Sequence, residues 1–143
     1  GLPTMVSYRT HVEKNSLFNT PPVFPIYVVG KVLKWVKAQG GLAGAERRNR
    51  EKGDLLYDVI DGSDGFYTTP VQTGSRSYMN VVFRLPSEEL EAKFVAEGKA
   101  AGMVGLKGHR SVGGCRASIY NAMEPSGVQA LVDFMAEFER THG

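Results

Sequence analysis

Arg110 and Arg116 lie six residues apart in Gly105-Leu-Lys-Gly-His-Arg-Ser-Val-Gly-Gly-Cys-Arg116, a stretch that also holds Lys107 and His109. A guanidinium grips phosphate or carboxylate in a bidentate fork, so two of them at this spacing can serve two separate anionic groups. His109 adds a donor that favours phosphate most when protonated. The intervening glycines let backbone N–H groups approach a ligand closely. The surroundings carry the same bias: no Asp or Glu falls between Glu97 and Glu124, a gap of 26 residues that holds six glycines and also Lys99. On spacing alone, a surface turn with solvated cations accounts for these residues equally well.

A second candidate is Ser16-Leu-Phe-Asn-Thr-Pro-Pro22. Asn19 and Thr20 stand ahead of an expected helix, where free N–H groups and the helix dipole favour an anion. An ordinary N-cap reads the same way. His11, His109 and His142 have no metal-ligand spacing, and neither GxxxxGK[ST] nor GxGxxG occurs. Cys115 reads as a packed residue whose thiol pKa the adjacent Arg116 could lower. Lys31, Lys34 and Lys37 read as a solvated helix face, and Trp35 and Tyr120 as core or interface.

These candidates sit in a chain of one-domain length. Lys and Arg number 17 against 15 Asp and Glu, and a net charge of +2 is too small to argue for nucleic acid. No run of 18 apolar residues occurs, so no membrane span is expected. The single cysteine excludes a disulfide framework and suits a reducing compartment, the cytoplasm. The chain shows no signal peptide and opens Gly-Leu-Pro, as a piece of something longer would.

The elements that must position the candidates follow from periodicity. Residues 5–8 suit a short strand, and 15–20 a turn. A helix is expected from Pro21–Pro22, with Ile26, Val29, Leu33 and Val36 on one face, closed by Gly40–Gly41. Another runs from Leu42 to Ile60, its middle from Glu46 to Lys52 a solvated charge run. Strands are expected at 66–67, 78–85, 103–106 and 117–120. Ser87 should cap a helix with acids in its first turn. A last helix should carry Val128, Leu131, Val132, Met135 and Phe138 on one stripe, started by a Ser126/Gln129 capping box. The order β-β-α-β-β-α implies an α/β fold of the α+β kind: a small mixed or antiparallel sheet with helices on one face. The first forty residues look less self-contained.

Phe18-Asn-Thr-Pro-Pro22, Leu106-Lys-Gly-His-Arg-Ser-Val-Gly-Gly114 and Arg116-Ala-Ser-Ile-Tyr-Asn-Ala122 together resemble the phosphoserine aminotransferase family, in class V of the aminotransferases. The resemblance runs from residue 3 to the C-terminus, through Tyr27–Gly41, Ser77–Leu85 and Phe134-Met-Ala-Glu-Phe-Glu-Arg140. It covers only the C-terminal portion of that family. It implies a fold-type I homodimer that uses pyridoxal phosphate to exchange an amino group between glutamate and 3-phosphohydroxypyruvate. The products are O-phosphoserine and 2-oxoglutarate, in serine biosynthesis and in bacteria also pyridoxine biosynthesis. By resemblance, Asn19 and Thr20 contact the cofactor phosphate of the opposite subunit. His109 and Arg110 bind the substrate phosphate across the interface, and Arg116 holds the substrate α-carboxylate. Residues 1–41 would close the large cofactor domain and link it to a small domain at 42–143.

The family's Schiff-base lysine, its ring-stacking aromatic residue and the aspartate on the pyridine nitrogen all belong to the part not present. No catalytic residue is therefore expected in this chain, nor any nucleic-acid or membrane partner. Two readings from other classes compete. Gly105-Leu-Lys-Gly108 matches the GXXG of RNA-binding KH domains, though that loop should join two helices. A non-catalytic dimerisation domain is the other. The chain alone should neither hold pyridoxal phosphate covalently nor transaminate; borohydride trapping of the cofactor on any of its lysines, Lys107 included, would contradict this.

Overall fold

A computed structural model describes all 143 residues. They divide into two compact units, Gly1–Leu42 and Ala43–Gly143.

In the first unit a 3-10 turn at Thr4–Val6 leads to helix α1 (Tyr8–Glu13), and a bent segment leads to α2 (Val23–Ala38). The strand expected at 5–8 is absent. The His11 ring nitrogen Nε2 meets the Met5 carbonyl at 2.9 Å, and Ser7 enters α1 in an extended conformation, so a local turn takes up the polar groups a strand would leave unpaired. Asn15 and Ser16 reverse the chain at φ 48° and 61°. Pro22 is the N-cap of α2, and Gly40 and Gly41, at φ 92° and 65°, follow its end. α2 buries none of its residues: Val23, Phe24, Ile26, Tyr27, Val29 and Leu33 are all exposed. Lys31 lies over the Tyr27 ring at 5.2 Å.

The second unit is built from α3 (Gly41–Gly62), β1 (Asn80–Phe83), α4 (Glu88–Ala100), β2 (Cys115–Ser118) and α5 (Pro125–His142). The two strands pair antiparallel with Val81 opposite Ala117 and Phe83 opposite Cys115. These four side chains are buried, with Leu56, Tyr57 and Ile60 of α3, Phe94 of α4, and Val128, Leu131, Met135 and Phe138 of α5 in the same core. A helix-rich fold with a small antiparallel sheet thus agrees with the expected class. The sheet is smaller than expected. The segments at 66–68 and 103–107 flank it by single bridges only, Thr68 to Arg84 and Lys107 to Cys115. Positive φ at Gly65, Gly102 and Gly105 interrupts the extended run each outer strand would need.

Ser87 caps α4 by accepting from Leu90 N at 3.2 Å, with Glu88, Glu89 and Glu91 in the first turn. The capping box of α5 does not form. Glu124 is its N-cap, Pro125 takes the first turn, and the Gln129 amide donates to Asp133 at 2.8 Å.

The charge run of α3 is only partly solvated. Glu46, Arg47, Arg50 and Glu51 are exposed, but Lys52 is 1% exposed and Asn49 is buried. Lys52 precedes Leu56 and Ile60 by one and two helical repeats, which puts it on the buried face. Its ammonium donates to the carbonyls of Ile119, Tyr120 and Met123 at 3.1, 2.8 and 3.0 Å. Asn49 donates to Asn121 Oδ1 at 2.7 Å. α3 thereby fixes the turn that follows β2. Burial, aided by nearby Arg48, lowers the Lys52 pKa, yet three carbonyl acceptors suit the charged form. Replacing Lys52 by Met should cost about 2 kcal/mol, because carbonyls lose their donor away from full hydration. Chemical denaturation should show that loss, whereas Arg47→Met, which breaks an exposed pair with Glu51, should stay within about 0.5 kcal/mol of the parent.

Candidate functional site

The basic loop lies between α4 and β2, and its path is set by backbone bonds at both ends. Arg116 N donates to Leu106 O at 2.8 Å, and Gly108 N to Gly114 O at 2.8 Å. Inside this closure the N–H groups of Val112 and Gly113 both donate to His109 O, at 2.9 and 2.8 Å. His109 Nδ1 and Ser111 Oγ are 2.7 Å apart. The result is a tight turn with His109 and Arg110 exposed at its tip.

His109, Arg110 and Lys107 line a cavity of about 540 Å³ whose opposite wall carries Glu88 and Glu91 of α4. Arg116 is not part of it. Strand alternation turns Cys115 and Ala117 into the core and leaves Arg116 on the half-exposed face, opposite Val82. There it lines a different, largely apolar cavity of about 480 Å³ with Met103, Leu106 and Ile119. Its Nε is buried and makes no hydrogen bond. The structure therefore brings His109, Arg110 and Lys107 together and keeps Arg116 apart.

Asn19 and Thr20 are exposed just ahead of α2. The Asn19 amide makes one long contact, 3.5 Å to the Met5 sulfur, and no side chain caps the helix start. An exposed amide and an exposed hydroxyl fit a phosphate group, whereas the helix start offers few free N–H donors: Val23 N donates to Pro21 O at 2.8 Å, and Pro21, Pro22 and Pro25 have none.

Two residues that organise these regions, Lys52 and Arg84, were not among the sequence candidates. Lys52 was hidden in an apparently solvated run, although its spacing to Leu56 was a readable signal. Arg84 follows the apolar Val81-Val82-Phe83 and approaches both carboxylate oxygens of Glu91 at 3.4 Å. An Arg bracketed by Phe83 and Leu85 at a strand end was the only sequence sign of it.

Cys115 is packed in the core, as expected, but its thiol is not activated. Burial raises its thiol pKa to about 12, helped by Glu91 and opposed by Arg84; Arg116 does not lower it. Of the residues set aside earlier, Tyr120 and Trp35 are exposed and not core. The Tyr120 hydroxyl donates to Asn80 at 3.3 Å. The GXXG segment joins a helix to a strand, without the helix pair of a KH loop, so nothing in the fold supports the RNA-binding alternative. No group of three His, Cys, Asp or Glu side chains is arranged to hold a metal, and no helix is long and apolar enough to cross a membrane.

The family model for aminotransferase class-V matches residues 3–131, and the chain belongs to that family. Within it, the similarity is to phosphoserine aminotransferases. That of Geobacillus kaustophilus is 59% identical over 98% of this chain and 39% of its own length. That of Lysinibacillus sphaericus is 55% identical over 99% of this chain and 39% of its own. Among solved structures, phosphoserine aminotransferase from Bacillus circulans subsp. alkalophilus superposes with a TM-score of 0.92 at 57% identity, covering 99% of this chain and 39% of that one. A phosphoserine aminotransferase from Trichomonas vaginalis, described as bound to pyridoxal phosphate, gives 0.83 at 38% identity over 94% of this chain. The chain spans about two fifths of the length of these relatives, as the resemblance to a C-terminal portion implied.

The thiol of Cys115 makes a pH prediction. Its ordinary pKa is near 9 and its folded value about 12, so between them the unfolded chain releases a proton that the folded chain keeps. Stability from this group is complete below pH 9 and is lost as pH rises toward 12. Denaturation curves of Cys115→Ala should lose less stability above pH 9 than those of the parent.

Proposed function

We propose that this chain is the C-terminal part of a pyridoxal-phosphate-dependent transaminase. The enzyme moves an amino group between glutamate and 3-phosphohydroxypyruvate, giving O-phospho-L-serine and 2-oxoglutarate. The observation that carries the reading is the separation of Arg110 and Arg116 onto two cavities of one acid-poor loop region. A substrate with a phosphate at one end and an α-carboxylate at the other needs two grips held apart. A lone phosphate or a nucleic-acid backbone does not. The names of the relatives point to the same substrate.

In this reading His109 and Arg110 bind the substrate phosphate, and Arg116 orients the α-carboxylate. The Asn19 amide and Thr20 hydroxyl would hold the cofactor phosphate beside the start of α2. Pyridoxal phosphate, when bound, supplies the electron sink for the reaction, and the protein supplies orientation and electrostatics. Arg116 enters its cavity with an unpaired buried Nε, so a carboxylate there would satisfy a donor that is otherwise stranded. Arg110 is exposed at the tip of the turn, where it can meet a dianion in the cavity that Glu88 and Glu91 also line. None of these residues is assigned proton transfer; the residues of this chain select and orient.

Residues 1–41 are assigned to the end of the large cofactor domain and its linking helix, and 42–143 to the small domain. The exposed apolar side chains of α2 favour burial in a larger assembly, which we read as a homodimer with shared active sites. Cytoplasmic serine biosynthesis, with pyridoxine biosynthesis in bacteria, is the proposed setting.

Titration of the full-length enzyme tests the reaction. Glutamate should bleach the long-wavelength absorbance of the bound cofactor; 3-phosphohydroxypyruvate should restore it, and pyruvate should not. A full-length protein without cofactor absorbance would overturn the assignment. Arg110→Ala should reduce kcat/KM for 3-phosphohydroxypyruvate by about 2–5 kcal/mol of binding free energy while sparing glutamate, whereas Arg116→Ala should impair both. Equal losses for the two substrates in Arg110→Ala would remove the phosphate role.

A further inference from the structure

We infer that Arg84 is the positioning residue of the His109–Arg110 turn, holding it in place through a guanidinium shared between Glu91 and the turn's backbone; its link to substrate selection rests on the function proposed above. The observations are geometric. Arg84 follows β1, one residue beyond the Phe83–Cys115 pair, and its side chain runs beside Gly113 and Gly114, which lead into β2. Its Nη2 donates to the Val112 carbonyl, and its Nη1 faces both carboxylate oxygens of Glu91 at 3.4 Å. The Glu91 side chain is 11% exposed, so the ion pair has one well-buried partner on a regular helix.

The glycine pair is what lets this arginine approach. A Cβ on Gly113 would stand 3.0 Å from Arg84 Nη1, and one on Gly114 would stand 2.9 Å from its Cδ and 2.8 Å from the Phe83 carbonyl. Both glycines have positive φ, 76° and 69°. Gly113–Gly114 therefore does more than bend the loop: it leaves a bare strip of backbone on which the arginine stem lies. The internal bonds of the turn run back to His109, so they shape it without tying it to the rest of the unit. Arg84 supplies such a tie, from α4 through one planar fork to Val112.

The same fork has an electrostatic role. Glu88 and Glu91 line the cavity that His109 and Arg110 also line. An unpaired Glu91 carboxylate would attract the cations of the turn and weaken them toward an external anion. Arg84 occupies that carboxylate and leaves Arg110 and His109 at the tip.

Arg84→Met in the full-length enzyme keeps the stem and deletes the donors. We expect the KM for 3-phosphohydroxypyruvate to rise about tenfold, the loss of one charge-assisted hydrogen bond, with the glutamate half-reaction changed less than about twofold. Amide hydrogen exchange over residues 108–114 should quicken about tenfold without any substrate present. Arg84→Lys, which places a single point charge and no fork, should fold normally and show the same faster exchange. Unchanged exchange in both variants would overturn the proposal, as would equal losses for the two substrates. If Arg110→Ala fails to discriminate between substrates, the phosphate reading falls. The exchange measurement still decides whether Arg84 holds the turn.

Discussion

The pairing of β1 with β2 is the constraint on which the second unit depends. Only four residues from each strand take part, but their alternation sorts every neighbouring side chain. Val81, Phe83, Cys115 and Ala117 enter the core; Val82, Arg116 and Ser118 face the other way. A slip of one residue would drive the Arg116 guanidinium among Phe94, Met135 and Phe138 and expel Cys115. The penalty of burying an unpaired cation makes that register untenable. The separation of Arg110 and Arg116 onto two cavities follows directly, because one sits in the turn before the strand and the other within it.

Around that pair the irregular segments are held by cations that meet carbonyl groups. Lys52 gathers three carbonyls after β2, and Arg84 takes one before it. Both reach from neighbouring elements, α3 and the end of β1, into irregular stretches outside the paired strands and the helices. A positively charged donor serves such a site well, since its charge strengthens each bond to a neutral acceptor. Arg76 does similar work elsewhere, pairing with Asp61 at 2.6 and 2.7 Å and lying over the Tyr57 ring at 4.5 Å.

The first unit follows different physics. α2 forms from local periodicity and a proline start, but its Val, Phe, Ile and Tyr side chains remain exposed. A helix apolar on most of its circumference gains stability chiefly from burial. Exposed apolar area of this extent marks a surface made for contact. The function proposed here gives it that setting, since the chain corresponds to about two fifths of its relatives.

Much of this protein was legible in the residues alone. The helices were readable because apolar spacing and caps such as Ser87 act within a few residues; the long motifs around Asn19, His109 and Arg116 were distinctive enough to point to the family. The segments at 66–67 and 103–106 do not become outer strands, and a β-branched or aromatic run says nothing about whether its backbone meets a partner beyond one bridge. The Ser126 capping box lost to Pro125, whose fixed φ and missing N–H start the helix two residues earlier. Tertiary structure alone decided which carbonyls Lys52 meets, that Cys115 stays a protonated thiol, and that Arg84 lies on Gly113–Gly114. Each of these depends on residues distant in the chain, with Lys52 meeting carbonyls 67 to 71 positions away. Periodicity records which face of an element is apolar; it holds no record of which distant backbone that face will meet.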